Sequence, residues 1–224
     1  MSLIDYPGNI ASVIFTAGCD FRCPFCQNPD LVHVNPQAPN LGAAEVIAAL
    51  KSRETLVDGV VITGGEPLLH PDLPEFIAAI RQTTGLLIKL DTNGHHPDGL
   101  QRLLDEGLVD FVAMDIKTSP ARYSEAAGKL VDIDRVMRSV ELIKNCGRQY
   151  EFRSTVVPGL IDEAAIDEVG KWLQGARLWV LQQFQNRVVL DPKFTERKPL
   201  MPDKIRELAL RAGKYVPQIL IRGL

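Results

Sequence analysis

Short apolar runs alternate with longer amphipathic segments along most of the chain. The apolar runs predict strands, and the segments between them carry apolar residues at the spacing of helices. The predicted strands are 10–15, 59–63, 86–90, 109–114, 150–157, 178–184 and 215–221, and the predicted helices are 43–53, 71–83, 98–106, 133–145, 163–173 and 203–211. Because strands that alternate with helices are typical of βαβ units, we expect a parallel sheet.

Six of these strands lie within residues 8–190, which is too few for a closed eight-stranded barrel. The sequence therefore predicts an α/β fold, a partial and open (β/α)6 barrel around a parallel sheet. The last helix and strand form a C-terminal extension at about 191–224. We expect residues 1–224 to be one domain, since this length suits one buried core. Two loops are predicted, at 35–40 and 119–128.

Polar motifs follow the first four predicted strands. A cysteine-rich loop follows the first strand, and GGEP (64–67), DTNG (91–94) and DIK (115–117) follow the next three. In parallel α/β folds the C-terminal ends of the strands meet at one edge of the sheet, and that edge carries the chemistry. These motifs should therefore converge although they are far apart in sequence.

Three of the four cysteines, Cys19, Cys23 and Cys26, lie within eight residues in a C-x3-C-x2-C arrangement. Zinc sites usually use C-x2-C pairs, and no second pair follows here. A 4Fe–4S cluster held by three thiolates keeps one iron open for a further ligand. Zinc completed by His33 is the alternative. Cys146 is expected to be a buried apolar residue near a helix end.

The amino-acid composition of the chain limits the kinds of binding partner and the cellular compartment that we expect. The net charge of −3 gives no general case for nucleic-acid binding, and no apolar stretch approaches membrane-spanning length. The first residues lack the basic and apolar regions of a signal peptide. Cysteines that serve as ligands suit a reducing compartment, so we expect a cytoplasmic protein without nucleic-acid or membrane partners.

The cysteine triplet and the GGEP motif that follows Cys26 by 38 residues together resemble the radical S-adenosylmethionine (SAM) superfamily. The runs SLIDYPG (2–8), FTAGC (15–19) and CQNP (26–29) are similar to activases of glycyl-radical enzymes. Within those, they most resemble the anaerobic ribonucleoside-triphosphate reductase activating proteins. DTNG, DIK, and Arg153 together with the run VPG (157–159) are similar to elements of pyruvate formate-lyase activating enzyme. The similarity extends to about residue 160.

This resemblance implies an oxidoreductase with one 4Fe–4S cluster on Cys19, Cys23 and Cys26. A reduced flavodoxin or ferredoxin would donate an electron, and SAM would be cleaved reductively at the cluster. The 5′-deoxyadenosyl radical would then take a hydrogen atom from a glycine of a partner enzyme, of the anaerobic ribonucleotide reductase type. A radical SAM enzyme that acts on another peptide or on a small molecule is the alternative, and a non-enzymatic zinc module is a third.

The resemblance also assigns cofactor contacts to the second motif and to the cysteine loop. Gly64 and Gly65 would let the backbone approach SAM closely, although a tight turn after the strand also accounts for them. Glu66 would accept a hydrogen bond from the methionyl ammonium. Phe25 would either lie near the adenine or shield the cluster from water.

Charged residues at later strand ends complete the implied site. Lys117 and Arg153 would pair with the SAM carboxylate. Asp91 and Asp115 would hold a monovalent cation near SAM, with help from Thr92 and a backbone carbonyl, since two close carboxylates repel unless a cation lies between them. Capping of strand ends is the alternative role for the two aspartates.

Further residues near the predicted site carry weaker expectations. Asp5 is a candidate for substrate contact, and Gln182, Gln183 and Gln185 are candidates for the wall of a substrate channel. The two histidines that follow DTNG are expected to lie in a solvated turn.

Overall fold

The computed structural model describes residues 1–34, 37 and 39–224. Seven strands form one parallel sheet in which strand order equals chain order. The strands are β1 (Ala11–Thr16), β2 (Gly59–Gly64), β3 (Leu87–Thr92), β4 (Phe111–Asp115), β5 (Gln149–Val156), β6 (Leu178–Gln183) and β7 (Gln218–Arg222). The sheet is open, since β1 and β7 form its two edges, and the predicted open α/β class is confirmed.

Helices connect successive strands. They are α1 (Pro29–Val32), α2 (Ala43–Lys51), α3 (Leu73–Thr84), α4 (Pro97–Asp105), α5 (Tyr123–Ala127), α6 (Ile133–Asn145), α7 (Glu163–Trp172) and α8 (Pro202–Ala212), with short 3-10 turns at Pro67–Leu69, Pro120–Arg122 and Pro192–Glu196. Local chemistry sets several of their ends. The Asp162 carboxylate accepts a hydrogen bond from the Ala165 amide (2.8 Å) at the start of α7, and Gly85 takes a left-handed conformation after α3.

The two faces of the sheet have different surroundings. On one face, fully buried strand residues such as Ile62, Leu90 and Val112 pack against the helices in the main hydrophobic core. On the other face, a smaller apolar cluster that includes Tyr6, Val61 and Phe111 forms the base of an inner chamber. Because strand side chains alternate between faces, the polar residues on that inner face lie above this apolar base.

The sheet contains seven strands rather than the six of the predicted barrel. The strand of the C-terminal extension, β7, pairs in parallel with β6, so that Leu178 lies beside Gln218 and Gln182 beside Arg222. In the described part of the chain, no helix is long and apolar enough to cross a membrane.

The predicted loop at 119–128 is wrong, because this segment forms a 3-10 turn followed by α5. α5 ends at Gly128, whose φ is +67°, and the Arg22 amide donates a hydrogen bond to the Ala127 carbonyl (2.8 Å). The segment thus supports the cysteine loop from below. The other predicted loop, at 35–40, falls largely outside the described residues.

Candidate active site

The C-terminal ends of the strands surround a cavity of about 420 Å³. The four polar motifs predicted to converge all contribute to its wall. Residues of the predicted site that line it are Cys19, Cys23, Phe25, Cys26, Gly64, Gly65, Asp91, Asp115, Lys117 and Arg153. One further predicted residue, Glu66, is not among the lining residues of the described chain. The contacts of all these residues with a cofactor stay predictions.

The three cysteines of the triplet are free thiols on one wall of the cavity. A turn brings the last two together, with the Cys26 amide donating to the Cys23 carbonyl (2.9 Å). Burial raises the pKa of Cys19 to about 11 and the pKa of Cys23 to about 12. These thiols therefore stay protonated at neutral pH until a metal takes up the sulfur and releases the proton.

The spacing of the three sulfurs fits an iron–sulfur cluster better than a single zinc ion. They do not form a group whose ligand atoms all lie within 4.8 Å of one another. Sulfurs that share a tetrahedral zinc ion lie within about 4 Å, since each Zn–S bond is about 2.3 Å. The alternative fourth zinc ligand, His33, is exposed at the end of α1 and belongs to no such group in the described chain.

Gly64 and Gly65 join the end of β2 to the cysteine loop through the backbone. The Gly65 amide donates to the Thr16 carbonyl (2.9 Å). A Cβ atom on Gly65 would lie 1.9 Å from the Gly18 carbonyl oxygen, and a Cβ on Gly64 would lie 2.3 Å from backbone atoms of Thr16. The absence of side chains here is thus required by close packing of the chain on itself.

Glu66 is fully buried beneath the site rather than directed into it. One carboxylate oxygen accepts hydrogen bonds from the Thr92 hydroxyl (2.8 Å) and the Leu68 amide (3.1 Å), and the other accepts one from the Asn93 amide (2.7 Å). Burial raises the pKa of Glu66 to about 7, although these hydrogen bonds oppose the shift. In this arrangement Glu66 connects the GGEP turn to the DTNG turn, and the expected contact of its carboxylate with the methionyl ammonium stays a prediction.

A second connection, absent from the sequence-based prediction, joins the DTNG turn to the cysteine loop. Asp20, inside the triplet, accepts hydrogen bonds from the Asn93 side chain (2.8 Å) and lies 2.6 Å from His95 Nδ1 and 3.2 Å from His96 Nε2. The solvated turn expected for the two histidines is wrong, since His95 is buried and His96 is half-buried. Their position next to DTNG was the only signal in the sequence.

Five charged side chains form a network on the inner face of β3, β4 and β5, which we call the inner charge network: Lys89, Asp91, Asp115, Lys117 and Arg153. The Arg153 guanidinium lies between the two aspartates, 2.9 Å from Asp91 Oδ2 and 2.8 Å from Asp115 Oδ1. Lys117 Nζ lies 2.9 Å from Asp115 Oδ2, and Lys89 forms an ion pair with Asp91 Oδ1. Lys89 was not singled out from the sequence.

The network shifts the acid–base behaviour of its members. Burial opposes ionisation of Asp115, but Arg153 and Lys117 hold the pKa of Asp115 well below its usual range. Burial likewise works against the charge of Lys117, yet Asp115 raises the pKa of Lys117 above its usual range. Burial lowers the pKa of Lys89, against the opposing effect of Asp91. The Asp115–Lys117–Arg153 part of the network therefore stays ionised at neutral pH.

The weaker candidates from the sequence divide into two groups. Asp5, Gln182 and Gln183 line the cavity. Gln185 does not line it in the described chain, and its backbone carbonyl instead accepts a hydrogen bond from the Gln27 side chain (3.1 Å).

Phe25 is buried, and its ring centroid lies 6.5 Å from that of Phe194 in the C-terminal extension. Cys146, at the end of α6, is half-buried rather than fully buried.

An open parallel sheet with three thiols on the wall of a cavity at its C-terminal edge is the arrangement of a protein that can hold a metal cluster beside a bound ligand. A family model described as the radical SAM superfamily matches residues 13–169, and the chain belongs to that superfamily. Members of this superfamily hold a 4Fe–4S cluster through three cysteines and use SAM. The chain is therefore a radical SAM enzyme of the oxidoreductase type, with a 4Fe–4S cluster and SAM as its cofactors.

Two relatives narrow the class. The chain is 31% identical over 228 residues to a Methanocaldococcus jannaschii protein named "Putative glycyl-radical enzyme activating enzyme MJ1227", covering 100% of this chain and 93% of that protein. It is 32% identical over 168 residues to the pyruvate formate-lyase-activating enzyme of Clostridium pasteurianum, covering 72% of this chain and 68% of that enzyme. The chain is thus similar to activating enzymes of the glycyl-radical type.

A solved structure with a similar fold is Streptococcus suis SuiB bound to S-adenosylmethionine. It matches with a TM-score of 0.74 at 16% identity, covering 96% of this chain and 50% of the SuiB chain. At this identity the match shows the fold alone, and the chain spans about half the length of SuiB.

Proposed function

We propose that this protein is an activating enzyme that makes a glycyl radical on a partner enzyme of the anaerobic ribonucleotide reductase type. The observation that carries the proposal is that the cysteine triplet and residues of the inner charge network line the same cavity at the strand ends. Similarity over the full length to an activating enzyme supports the same class of reaction. A reduced flavodoxin or ferredoxin is the proposed electron donor, and the cytoplasm is the proposed compartment.

The donor set fits a 4Fe–4S cluster on Cys19, Cys23 and Cys26, because three thiols share one wall and lie too far apart for one zinc ion. Held on these three cysteines, the reduced cluster would supply the one electron needed for reductive cleavage of SAM. Phe25 is buried beside the thiols and keeps water from that wall.

The chain's own groups bind and orient the methionine part of SAM. Lys117 and Arg153 are ionised cations on the cavity wall and attract the SAM carboxylate. The backbone at Gly64 and Gly65 lines the cavity beside the thiols and is the proposed contact of the amino group of the ligand. We assign Glu66 the role of holding this backbone in place from beneath.

The open side of the sheet suits a protein substrate. Fixed positions of the reacting groups matter here, because the hydrogen atom moves from the α-carbon of one glycine to the 5′ carbon and leaves 5′-deoxyadenosine. Asp5, Gln182 and Gln183 lie on the cavity wall away from the thiols' own loop and are the proposed contacts of a glycine-containing loop from the partner.

The test uses anaerobically reconstituted protein with a reductant, SAM and a candidate glycyl-radical enzyme. We expect 5′-deoxyadenosine to form and a glycyl doublet to appear in the electron paramagnetic resonance spectrum. Cys23→Ala should abolish both, whereas Cys146→Ala, on a cysteine outside the cavity wall, should abolish neither. Absence of 5′-deoxyadenosine with intact iron content would overturn the proposal. Formation of 5′-deoxyadenosine without a glycyl signal for any candidate partner would show that the substrate belongs to another class.

A further inference from the structure

The two aspartates expected to bind a monovalent cation are already neutralised by side chains of the chain. Each of their four carboxylate oxygens has its own cationic partner. Asp91 is paired with Lys89 through Oδ1 and with Arg153 through Oδ2 (2.9 Å). Asp115 is paired with Arg153 through Oδ1 (2.8 Å) and with Lys117 through Oδ2 (2.9 Å).

Lys89 is the unusual member of this set. Its side chain is only 1% exposed, and in the sheet it lies between Val61 of β2 and Phe111 of β4. Its ammonium lies 5.7 Å from the centroid of the Phe111 ring. A lysine buried this completely is rare and requires a counter-ion, which Asp91 provides from the next inner-facing position of β3.

The hydroxyl of Thr92, a further expected ligand of the cation, is also engaged elsewhere. Thr92 follows Asp91 directly, so its side chain lies on the opposite face of the strand. Its hydroxyl donates to Glu66 (2.8 Å) and accepts a hydrogen bond from the Gly94 amide (3.0 Å). The oxygen ligands that a hard cation needs are therefore not directed at one point.

Charge balance gives an independent reason. Three cationic side chains face two carboxylates, which leaves one positive charge that matches the carboxylate of a bound SAM. A further cation would be repelled by the net positive charge of this network. The donor set thus does not fit the monovalent cation that the family resemblance implies.

We propose that the Lys89 ammonium takes the place of that cation, so that this enzyme binds SAM without Na⁺ or K⁺. The inference rests on the proposed function, because it concerns the SAM site of that reaction. Arg153 and Lys117 then face the ligand, while Lys89 compensates Asp91 from the base of the chamber. The positive charge that compensates Asp91 is then part of a side chain, so it is present whatever the Na⁺ and K⁺ concentrations of the cell.

The first experiment measures SAM binding to the anaerobically reconstituted wild-type protein in KCl, NaCl and choline chloride at equal ionic strength. We expect dissociation constants that agree within about twofold. Apoprotein should also unfold at the same temperature in KCl and choline chloride. A dissociation constant lower by tenfold or more in KCl or NaCl, or an apoprotein stabilised by either small cation alone, would overturn the proposal.

The second experiment uses Lys89→Met, which keeps the length and apolar stem of the side chain but removes the charge. We expect its SAM dissociation constant to rise at least tenfold in choline chloride and to recover in KCl, since Asp91 Oδ1 is then free for a small cation. Lys171→Met, on an exposed position of α7, is the matched control and should behave like wild type. Unchanged affinity of Lys89→Met in both salts would contradict the inference.

These outcomes separate the two proposals. A protein that binds no SAM in any salt refutes the proposed function, and the apoprotein unfolding comparison then still decides whether a small cation binds. A protein that binds SAM only with K⁺ or Na⁺ supports the function and refutes the role of Lys89. If Lys89→Met does not fold or take up iron, the wild-type comparison alone decides.

Discussion

The carboxylate of Glu66 places a negative charge in a fully buried part of the molecule without a cationic partner within hydrogen-bond reach in the described structure. Its three hydrogen bonds come from neutral donors, and they do not offset the loss of hydration. The result is a carboxyl group whose pKa is raised to about 7. Glu66 therefore gains or loses its charge as the pH passes through about 7, whereas Asp115, Lys117 and Arg153 stay ionised.

This pKa predicts a pH-dependent stability difference between Glu66→Gln and the wild type. Because the folded-state pKa lies above the ordinary value of 4.5 that applies in the unfolded chain, the proton on Glu66 stabilises the fold fully below pH 4.5, and this contribution is lost as pH rises through about 7. A glutamine does not titrate. Between pH 5 and pH 8, the free energy of unfolding of the variant should therefore gain about 2 kcal/mol relative to wild type.

Urea unfolding of the reduced apoproteins at the two pH values measures this difference. Any constant penalty from the glutamine amide facing the Asn93 amide cancels, because it is the same at both pH values. A stability difference that does not change with pH would show that Glu66 is ionised throughout.

At the scale of elements, three turns at the ends of β1, β2 and β3 are joined into one unit. Glu66 connects the second turn to the third, and Asp20 connects the third to the first. The first and second meet through the backbone, where Gly65 passes against Gly18. The geometry of the thiols thus depends on turns 38 or more residues away in sequence.

Gly65→Ala should disrupt this unit. The new Cβ would lie 1.9 Å from the Gly18 carbonyl oxygen, which is backbone and moves only if the cysteine loop moves with it. We expect a loss of about 2–4 kcal/mol in the free energy of unfolding and a lower iron content after reconstitution.

Gly99→Ala is the matched control for this substitution. It lies within α4, and the nearest atom to its Cβ would be in the Leu68 side chain at 3.5 Å, an ordinary van der Waals contact. Alanine favours a helix over glycine, so this variant should be unchanged or more stable by up to about 1 kcal/mol. Equal iron content and stability in Gly65→Ala would refute the close backbone contact.

The sequence predicted these elements well but not their connections. The helix 133–145 is confirmed at both ends, because an aspartate cap precedes it and its apolar spacing is regular. The strand-end motifs converge as expected, since parallel connectivity leaves no other arrangement. The Asp20–His95 contact spans 75 residues, and the direction of the Glu66 side chain depends on three hydrogen-bond donors. Neither can be derived from local patterns.

For the whole molecule, the C-terminal extension completes the sheet and reaches the inner chamber. Arg222 of β7 crosses β6 and binds Glu151 of β5 through two hydrogen bonds, at 2.8 and 2.6 Å. Glu151 is fully buried and lies directly below Arg153 on the same strand face. By neutralising Glu151, the last strand leaves Arg153 paired with the two aspartates of the inner charge network.

Arg222→Met should leave Glu151 buried without its guanidinium partner and cost about 3 kcal/mol in the free energy of unfolding. The double variant Glu151→Met/Arg222→Met should recover most of that loss, because the uncompensated charge is gone. Arg206→Met, which breaks an exposed ion pair with Asp203, should change stability by less than about 1 kcal/mol. Urea unfolding of the four proteins checks this, and equal losses in the single and double variants would contradict the charge argument.

The identity of strand order and chain order has a consequence for biosynthesis. Each new strand pairs with the strand made just before it, so the sheet can grow from β1 to β7 as the polypeptide leaves the ribosome. The thiols emerge early, whereas His95, which fixes their loop through Asp20, follows 75 residues later. The cysteines therefore meet cellular iron and oxidants before their shelter is complete, and we expect cluster insertion to follow translation.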